Sequence, residues 1–136
     1  MTNATIVLVL VVDDDAFIRE LITDTLGDSY QVVSHETAET ALASAAIDQP
    51  AAILLDVELP GTDGYEACRR LKADPATAGI PVLFVSAHDR TEDRLRGYEA
   101  GGEDYVVKPF EPQELTAKVA RMLQGAAERS RLKDTA

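Results

Sequence analysis

Ile6-Val7-Leu8-Val9-Leu10-Val11-Val12-Asp13-Asp14-Asp15 is the stretch that decides the fold. An unbroken β-branched and leucine run leaves no side for water, so it suits a strand buried on both faces, as in a parallel sheet. Immediately after it, Ala16 to Leu26 places Phe17, Leu21, Ile22 and Leu26 at helical spacing, and Gly27 closes the helix. A buried strand thus turns into a helix within a few residues, through three aspartates.

The alternation recurs outward along the chain. Gln31 to Val33 reads as a short strand, Ala38 to Ala46 as an alanine-rich helix, and Ala51 to Leu55 as a second wholly apolar strand. A loop from Asp56 to Asp63 leads into a helix from Gly64 to Ala73, which Asp74-Pro75 breaks. Pro81 to Val85 is the fourth strand, Thr91 to Ala100 a helix closed by Gly101-Gly102, and Tyr105 to Val107 the fifth strand. Pro112 to Gln124 makes the last helix, with proline in its first turn. Five βα units predict an α/β fold with a doubly wound parallel sheet, because each crossover is right-handed and covers one face.

At 136 residues the chain has room for one domain and no second. Its 46% apolar and 27% charged residues are those of an ordinary globular protein. A net charge of −11 repels phosphate backbones, so direct nucleic-acid binding is not expected. The run from Ile6 to Val12 is too short to span a bilayer, and nothing before it resembles a secretion signal, so a cytoplasmic protein with no membrane contact is expected. Cys68 is the only cysteine and reads as a reduced, small apolar helix residue. Gly125 to Ala136 turns polar and charged, with Glu128, Arg129, Arg131, Lys133 and Asp134, and reads as a frayed tail or the start of a linker.

In an open doubly wound sheet, ligands bind at the carboxyl ends of the strands. That edge collects Asp13, Asp14 and Asp15 after the first strand, Asp56 after the third, Ser86 after the fourth and Lys108 after the fifth. Adjacent aspartates repel one another, and a helix cap needs only one; for Asp15 that cap is the preferred role. A hard cation resolves the repulsion, and Mg²⁺ takes one or two carboxylates together with waters and phosphate oxygens. Asp13, Asp14 and Asp56 can supply such a set. Asp56 closes the strand Ala51-Ala52-Ile53-Leu54-Leu55, where a carboxylate can attack phosphorus if a metal and a cation neutralise the incoming oxygens. Lys108 is that cation, and the Lys108-Pro109 bond is a candidate cis peptide. A solvated surface lysine is the plainer alternative.

Together, Val11-Val12-Asp13-Asp14-Asp15, Leu54-Leu55-Asp56-Val57-Glu58-Leu59-Pro60-Gly61, Val85-Ser86-Ala87 and Tyr105-Val106-Val107-Lys108-Pro109-Phe110 resemble the receiver domain of bacterial two-component response regulators. The resemblance spans residues 5–124. It implies a flavodoxin-like (βα)5 sheet in the order 2-1-3-4-5, with helices on both faces. It also implies that Asp56 accepts a phosphoryl group from a sensor histidine kinase, a histidine phosphotransfer protein or a small donor such as acetyl phosphate. The chain would catalyse only its own phosphorylation and dephosphorylation, and would otherwise be no enzyme.

By the same resemblance Asp13, Asp14, Asp56 and the backbone carbonyl of Glu58 hold Mg²⁺, with Mn²⁺ as the alternative ion. Ser86, the backbone N–H of Ala87 and Lys108 meet the phosphoryl oxygens. Ser86 and Tyr105 form the switch, the serine moving toward the phosphoryl group and the tyrosine turning inward. Glu58 and His88 overhang the site and tune dephosphorylation, although an exposed loop histidine is the plainer reading of His88. Arg94, Arg96, Asp104 and Lys118 fall on the fourth helix, fifth strand and fifth helix, a face for docking or homodimerisation, or simply a solvated surface. The signal leaves through a downstream protein or a covalently linked output domain. An aspartate-nucleophile phosphatase would carry a second aspartate where this chain has Glu58, and a receiver that had lost phosphorylation would lack the acceptor, the acidic pair or the lysine.

Overall fold

The computed structural model describes residues 6–134; Thr5, where the resemblance begins, and the last two residues of the polar tail lie outside them. In chain order the elements are β1 (Leu8–Val12), α1 (Ala16–Leu26), β2 (Gln31–His35), α2 (Ala38–Asp48), β3 (Ala52–Leu55), α3 (Gly64–Ala73), β4 (Val82–Ser86), α4 (Thr91–Glu99), β5 (Asp104–Val107) and α5 (Pro112–Asp134). The strands form one parallel sheet in the order β2-β1-β3-β4-β5.

The apolar runs lack alternation because both faces are covered. Leu10, Val12, Ile53, Leu55, Phe84 and Tyr105 pack with Ala38, Ala41 and Ala45 of α2 and with Ala67, Cys68 and Leu71 of α3. Their neighbours in sequence, Val9, Val11, Leu54, Leu83, Val85 and Val106, point the other way, onto Ile22 and Leu26 of α1 and Leu115, Val119 and Met122 of α5. The period of two along each strand divides one apolar run between two cores. The buried stripe of α1 runs through Ile18, Ile22 and Leu26, so Phe17, one position round the helix, is 68% exposed.

Side chains start the helices. Asp15 accepts from the Phe17 amide at 2.9 Å, Thr37 from the Thr40 amide at 3.3 Å and Asp63 from the Glu66 amide at 2.9 Å. The backbone of Asp74 is extended ahead of Pro75, which stops α3.

Several expected boundaries shift, β1 beginning at Leu8 rather than Ile6 and α2 running on to Asp48; the ends of β2 and α5 show the physical reasons. β2 continues past Val33, with Ser34 and His35 in register with Val11 and Val12, because pairing with β1 holds polar residues in this edge strand. The last helix does not stop at Gln124: α5 runs on through Gly125 to Asp134. A helical glycine costs only about 1 kcal/mol, and the good helix formers Ala126, Ala127, Glu128 and Arg129 follow it. Arg129 also bonds Glu103 at 3.2 Å, fastening the extension to the domain.

The start of α3 lies directly under the end of β3. The Gly64 amide donates to the Val57 carbonyl at 2.8 Å, and a Cβ at Gly64 would stand 2.1 Å from the Asp56 carbonyl oxygen and 2.8 Å from Val57 Cα. Neither obstacle is a flexible side chain, so backbone must move. Gly64→Ala is expected to destabilise the fold by about 3 kcal/mol, at the upper end of overpacking costs, measured as a lowered urea midpoint at unchanged slope. A midpoint within experimental error of wild type would refute that close fit.

Candidate functional site

Strand order reverses between β1 and β3, and the carboxyl edge around that switch carries an open cleft of about 670 Å³. Asp13, Asp14, Asp56, Glu58, Ser86, Ala87, His88 and Lys108 all line it. Tyr105 does not; it stands behind the cleft in the core beneath α4, 1% exposed. The four loops after β1, β3, β4 and β5 therefore converge as the sequence predicts.

At the floor lies an ion-pair triangle. Lys108 Nζ donates to Asp13 Oδ2 at 2.5 Å and to Asp56 Oδ2 at 3.2 Å. Asp13 and Asp56 are only 1% and 6% exposed, and the lysine is largely covered as well. The Lys108-Pro109 peptide is cis. Burial pushes the Asp56 carboxyl up, the Lys108 charge pulls it back and Asp13 adds to the rise, leaving it at about 6. Burial pulls the Lys108 ammonium down, but its bond to Asp13 and the field of Asp56 outweigh this, and it ends above the ordinary lysine value.

Backbone bonds orient the acids. Asp13 Oδ1 accepts from the Asp15 amide at 2.9 Å, and Asp56 Oδ1 from the Val57 amide at 2.8 Å. Arg19 of α1 donates to the Asp13 carbonyl at 2.7 Å while its other terminal nitrogen lies 3.5 Å from Glu36. Arg19 thus braces the acidic turn, a role the sequence does not signal, since its partner is a main-chain oxygen. Asp15 is spent on capping α1, and carboxylate oxygens of Asp13, Asp14 and Asp56 come within 4.8 Å of one another.

That donor set fits a hard divalent cation. Octahedral Mg²⁺ at 2.0–2.1 Å sets ligand oxygens about 3 to 4 Å apart, a separation that three oxygens lying within 4.8 Å of one another can meet with small side-chain adjustments. Three carboxylates against one ammonium leave two negative charges, which one divalent ion balances. Asp14 is exposed, so the set opens to solvent and leaves room for water and phosphate oxygens.

The rim is closed differently. Ser86 is fully buried, its Oγ accepting from the His88 amide at 3.2 Å. His88 Nε2–H donates to the Glu58 carboxylate across the cleft mouth, joining the β3–α3 and β4–α4 loops. The Glu58 side chain is thereby engaged by the histidine, and neither residue is simply solvated. Tyr105 donates its hydroxyl to the His88 carbonyl at 2.8 Å, so its ring is turned inward.

Arg94, Arg96, Asp104 and Lys118 are not free in solvent either. Arg94 lies over the Tyr105 ring at 5.5 Å and Arg96 over the Tyr65 ring at 4.4 Å. Lys118 donates to the Tyr105 carbonyl at 2.9 Å and lies 3.7 Å from both Asp104 and Glu114. Cys68 is buried and its thiol is pushed up to about 11 by desolvation, which makes it a packing residue. Among the described residues no helix is long and apolar enough to cross a membrane.

Comparison with known proteins agrees with this architecture. The family model for the response regulator receiver domain matches residues 9–120. Response regulator PleD of Caulobacter vibrioides is 45% identical over 112 residues, covering 82% of this chain and 25% of PleD. The phosphate regulon transcriptional regulatory protein PhoB of Pseudomonas aeruginosa is 40% identical over 117 residues, covering 85% of this chain and 51% of PhoB. The chain therefore spans a quarter to a half of these relatives. Among solved structures, the receiver domain of sensor histidine kinase PA1611 from Pseudomonas aeruginosa superposes with a TM-score of 0.81 at 30% identity, covering 88% of this chain and 99% of that one. It was solved with a magnesium ion coordinated in its active-site cleft. A match over most of the chain, relatives at 40% identity or more, and one shared fold place this chain in the family of response regulator receiver domains.

Proposed function

We propose that this domain accepts a phosphoryl group on Asp56 from a sensor histidine kinase or a histidine phosphotransfer protein, holds it with Mg²⁺, and switches conformation to control a partner or an attached output domain. The observation that carries the reading is the ion-pair triangle: one ammonium between two buried carboxylates, with a third carboxylate at the open side. Receiver domains are signalling phosphoacceptors that bind Mg²⁺ in an acidic cleft, and this chain carries the residues for both.

In the reaction an Asp56 carboxylate oxygen attacks phosphorus as the bond to the donor imidazole nitrogen, or to the acetate of acetyl phosphate, breaks; the leaving group keeps that electron pair. Bound by Asp13, Asp14, Asp56 and the Glu58 carbonyl, Mg²⁺ or Mn²⁺ supplies Lewis-acid charge against the phosphoryl oxygens. Lys108 transfers its hydrogen bond from Asp56 to a phosphoryl oxygen, and Ser86 with the Ala87 N–H takes another. The Ser86 hydroxyl donates there while its Oγ can still accept from the His88 amide, so a shift of Ser86 draws the β4–α4 loop with it. Inward Tyr105 secures that loop through the His88 carbonyl, which supports the reading of Ser86 and Tyr105 as the switch. The Glu58–His88 bond spans the mouth of the cleft, and this supports a part for these two residues in setting the phosphoryl lifetime by limiting the access of water.

The α4–β5–α5 face, with Arg94, Arg96, Asp104 and Lys118, is assigned as the surface that docks or dimerises. The domain works in the cytoplasm, and its charge of −11 leaves any DNA contact of a longer regulator to another segment. Residues 125–134, helical here, serve as the linker to such a segment or as a rigid end of a stand-alone receiver.

Incubation with acetyl phosphate and Mg²⁺ is expected to add one phosphoryl group, mapped by mass spectrometry to Asp56, and a chelator is expected to prevent it. A gain at another residue, or one indifferent to the chelator, would sink the reading.

A further inference from the structure

Two tyrosines are held in the same way. The Tyr105 hydroxyl donates to the His88 carbonyl at 2.8 Å with Arg94 over its ring; the Tyr65 hydroxyl donates to the Asp93 carbonyl at 3.0 Å with Arg96 over its ring. Phe84 stands between them, its ring centroid 5.4 Å from that of Tyr65 and 6.0 Å from that of Tyr105. Asp93 and both arginines belong to α4, and His88 to the loop leading into it. That helix lies close on the aromatic column because residue 97 is glycine: a Cβ there would come within 3.1 Å of the Phe84 ring and 3.3 Å of the Tyr105 ring.

Only Tyr65 is also tied to the acceptor. It lines the cleft, and Gly64 before it is bonded to Val57 and pressed against the Asp56 carbonyl, so the backbone carrying Tyr65 follows that of Asp56. Burial chiefly, with the neighbouring Tyr105 hydroxyl adding to it, pushes the Tyr65 phenol above its ordinary value.

We propose that Tyr65 is a positioning residue that couples the Asp56 loop to α4, a second link in parallel with Ser86 and Tyr105. It rests on the phosphoacceptor reading. Its hydroxyl holds the first turn of α4 where the β4–α4 loop accepts inward Tyr105. By linkage, a contact that favours the arrangement binding the phosphoryl group better must also raise affinity for that group. Tyr65 and Tyr105 secure the same helix, so losing one hydroxyl reduces what the other contributes.

Tyr65→Phe keeps the ring and removes only the donor. Titrating wild type and variant with Mg²⁺ and beryllofluoride, followed by backbone amide NMR shifts, is expected to show affinity weakened about threefold to tenfold, the factor of one net hydrogen bond. The bound-state shifts of the amides from His88 to Arg94 should retreat toward their unbound values. Tyr105→Phe should weaken binding comparably, and the double variant should lose less than the product of the two. Melting temperatures without beryllofluoride report packing separately. Wild-type affinity in Tyr65→Phe, or losses that simply multiply, would overturn the coupling while leaving the acceptor intact. No response in wild type would remove the phosphoacceptor reading and this proposal with it.

Discussion

Asp56→Asn is expected to abolish the acetyl phosphate-dependent mass gain completely and, with a chelator present, to make the protein more stable at pH 7. The first effect follows because an amide offers no anionic oxygen to attack phosphorus. The second follows from the site: burial and Asp13 together outweigh Lys108, so the folded state disfavours the ionised Asp56 and raises its pKa from 3.8 to about 6. A carboxyl whose pKa is raised on folding contributes nothing below about pH 4, where it is protonated in both states. It then destabilises progressively as pH climbs to about 6, and by a constant amount above that. A rise of roughly 2 units bounds the effect at about 3 kcal/mol, a melting shift of at most about 10 °C. The gap between variant and wild type should therefore be absent near pH 4, open between pH 4 and 6, and stay level to pH 8. Mg²⁺ should narrow or reverse it by binding the folded wild type better. A chelated Asp56→Asn protein that melts below wild type at pH 7 would mean that the Lys108 pair outweighs burial after all.

The sheet was legible because its signal is collective. Most of Ile6 to Val12 and of Ala51 to Leu55 could be assigned as strands buried on both faces from their apolar continuity alone, and the structure shows why: successive residues of Val9 to Val12 and Ala52 to Leu55 serve opposite cores, whereas Ile6, ahead of β1, is 73% exposed. Ser34 and His35 gave no such signal, because edge-strand residues are held by pairing with Val11 and Val12 rather than by burial. Gly125 misled in the opposite sense. Glycine often ends a helix, but a single one costs little where alanines and charged helix formers follow, so α5 continues.

The candidate site was legible only as far as the strand ends carry it. Asp13, Asp56, Ser86 and Lys108 each directly follow or end a strand, so topology alone brings them to one edge. Contacts that depend on how helices and loops rotate were not legible. Arg94 and Arg96 look like surface charges in one dimension, and only the packing of α4 lays them on Tyr105 and Tyr65. Glu58 and His88 lie 30 residues apart, and nothing in either segment announces that their side chains meet. Arg19 bonds a main-chain carbonyl, an acceptor that every residue possesses, so no pattern of residue types could reveal it.

Lys108→Met is expected to slow acetyl phosphate-dependent phosphorylation by about 10²-fold to 10³-fold, the range seen when one preorganised charge-stabilising donor is removed, while tightening Mg²⁺. The two effects have one origin. Without metal, the ammonium occupies Asp13 Oδ2 at 2.5 Å and Asp56 Oδ2 at 3.2 Å, and its charge opposes a second cation in the same cleft. Methionine fills similar volume without that charge, so Mg²⁺ meets three uncompensated carboxylates. Phosphoryl transfer, by contrast, loses a donor that metal cannot replace, because Lys108 approaches from the β5 side while Asp14 opens the opposite side to solvent. In chelator the variant should melt below wild type, since two buried acids lose their shared counter-ion; removing one partner of a buried pair costs about 3 to 5 kcal/mol, less whatever protonation of Asp56 recovers. Restoring Mg²⁺ should recover most of that stability and none of the rate. If Lys108→Met binds Mg²⁺ more weakly than wild type, the lysine helps to build the metal site; if it phosphorylates at the wild-type rate, its charge takes no part in the transfer.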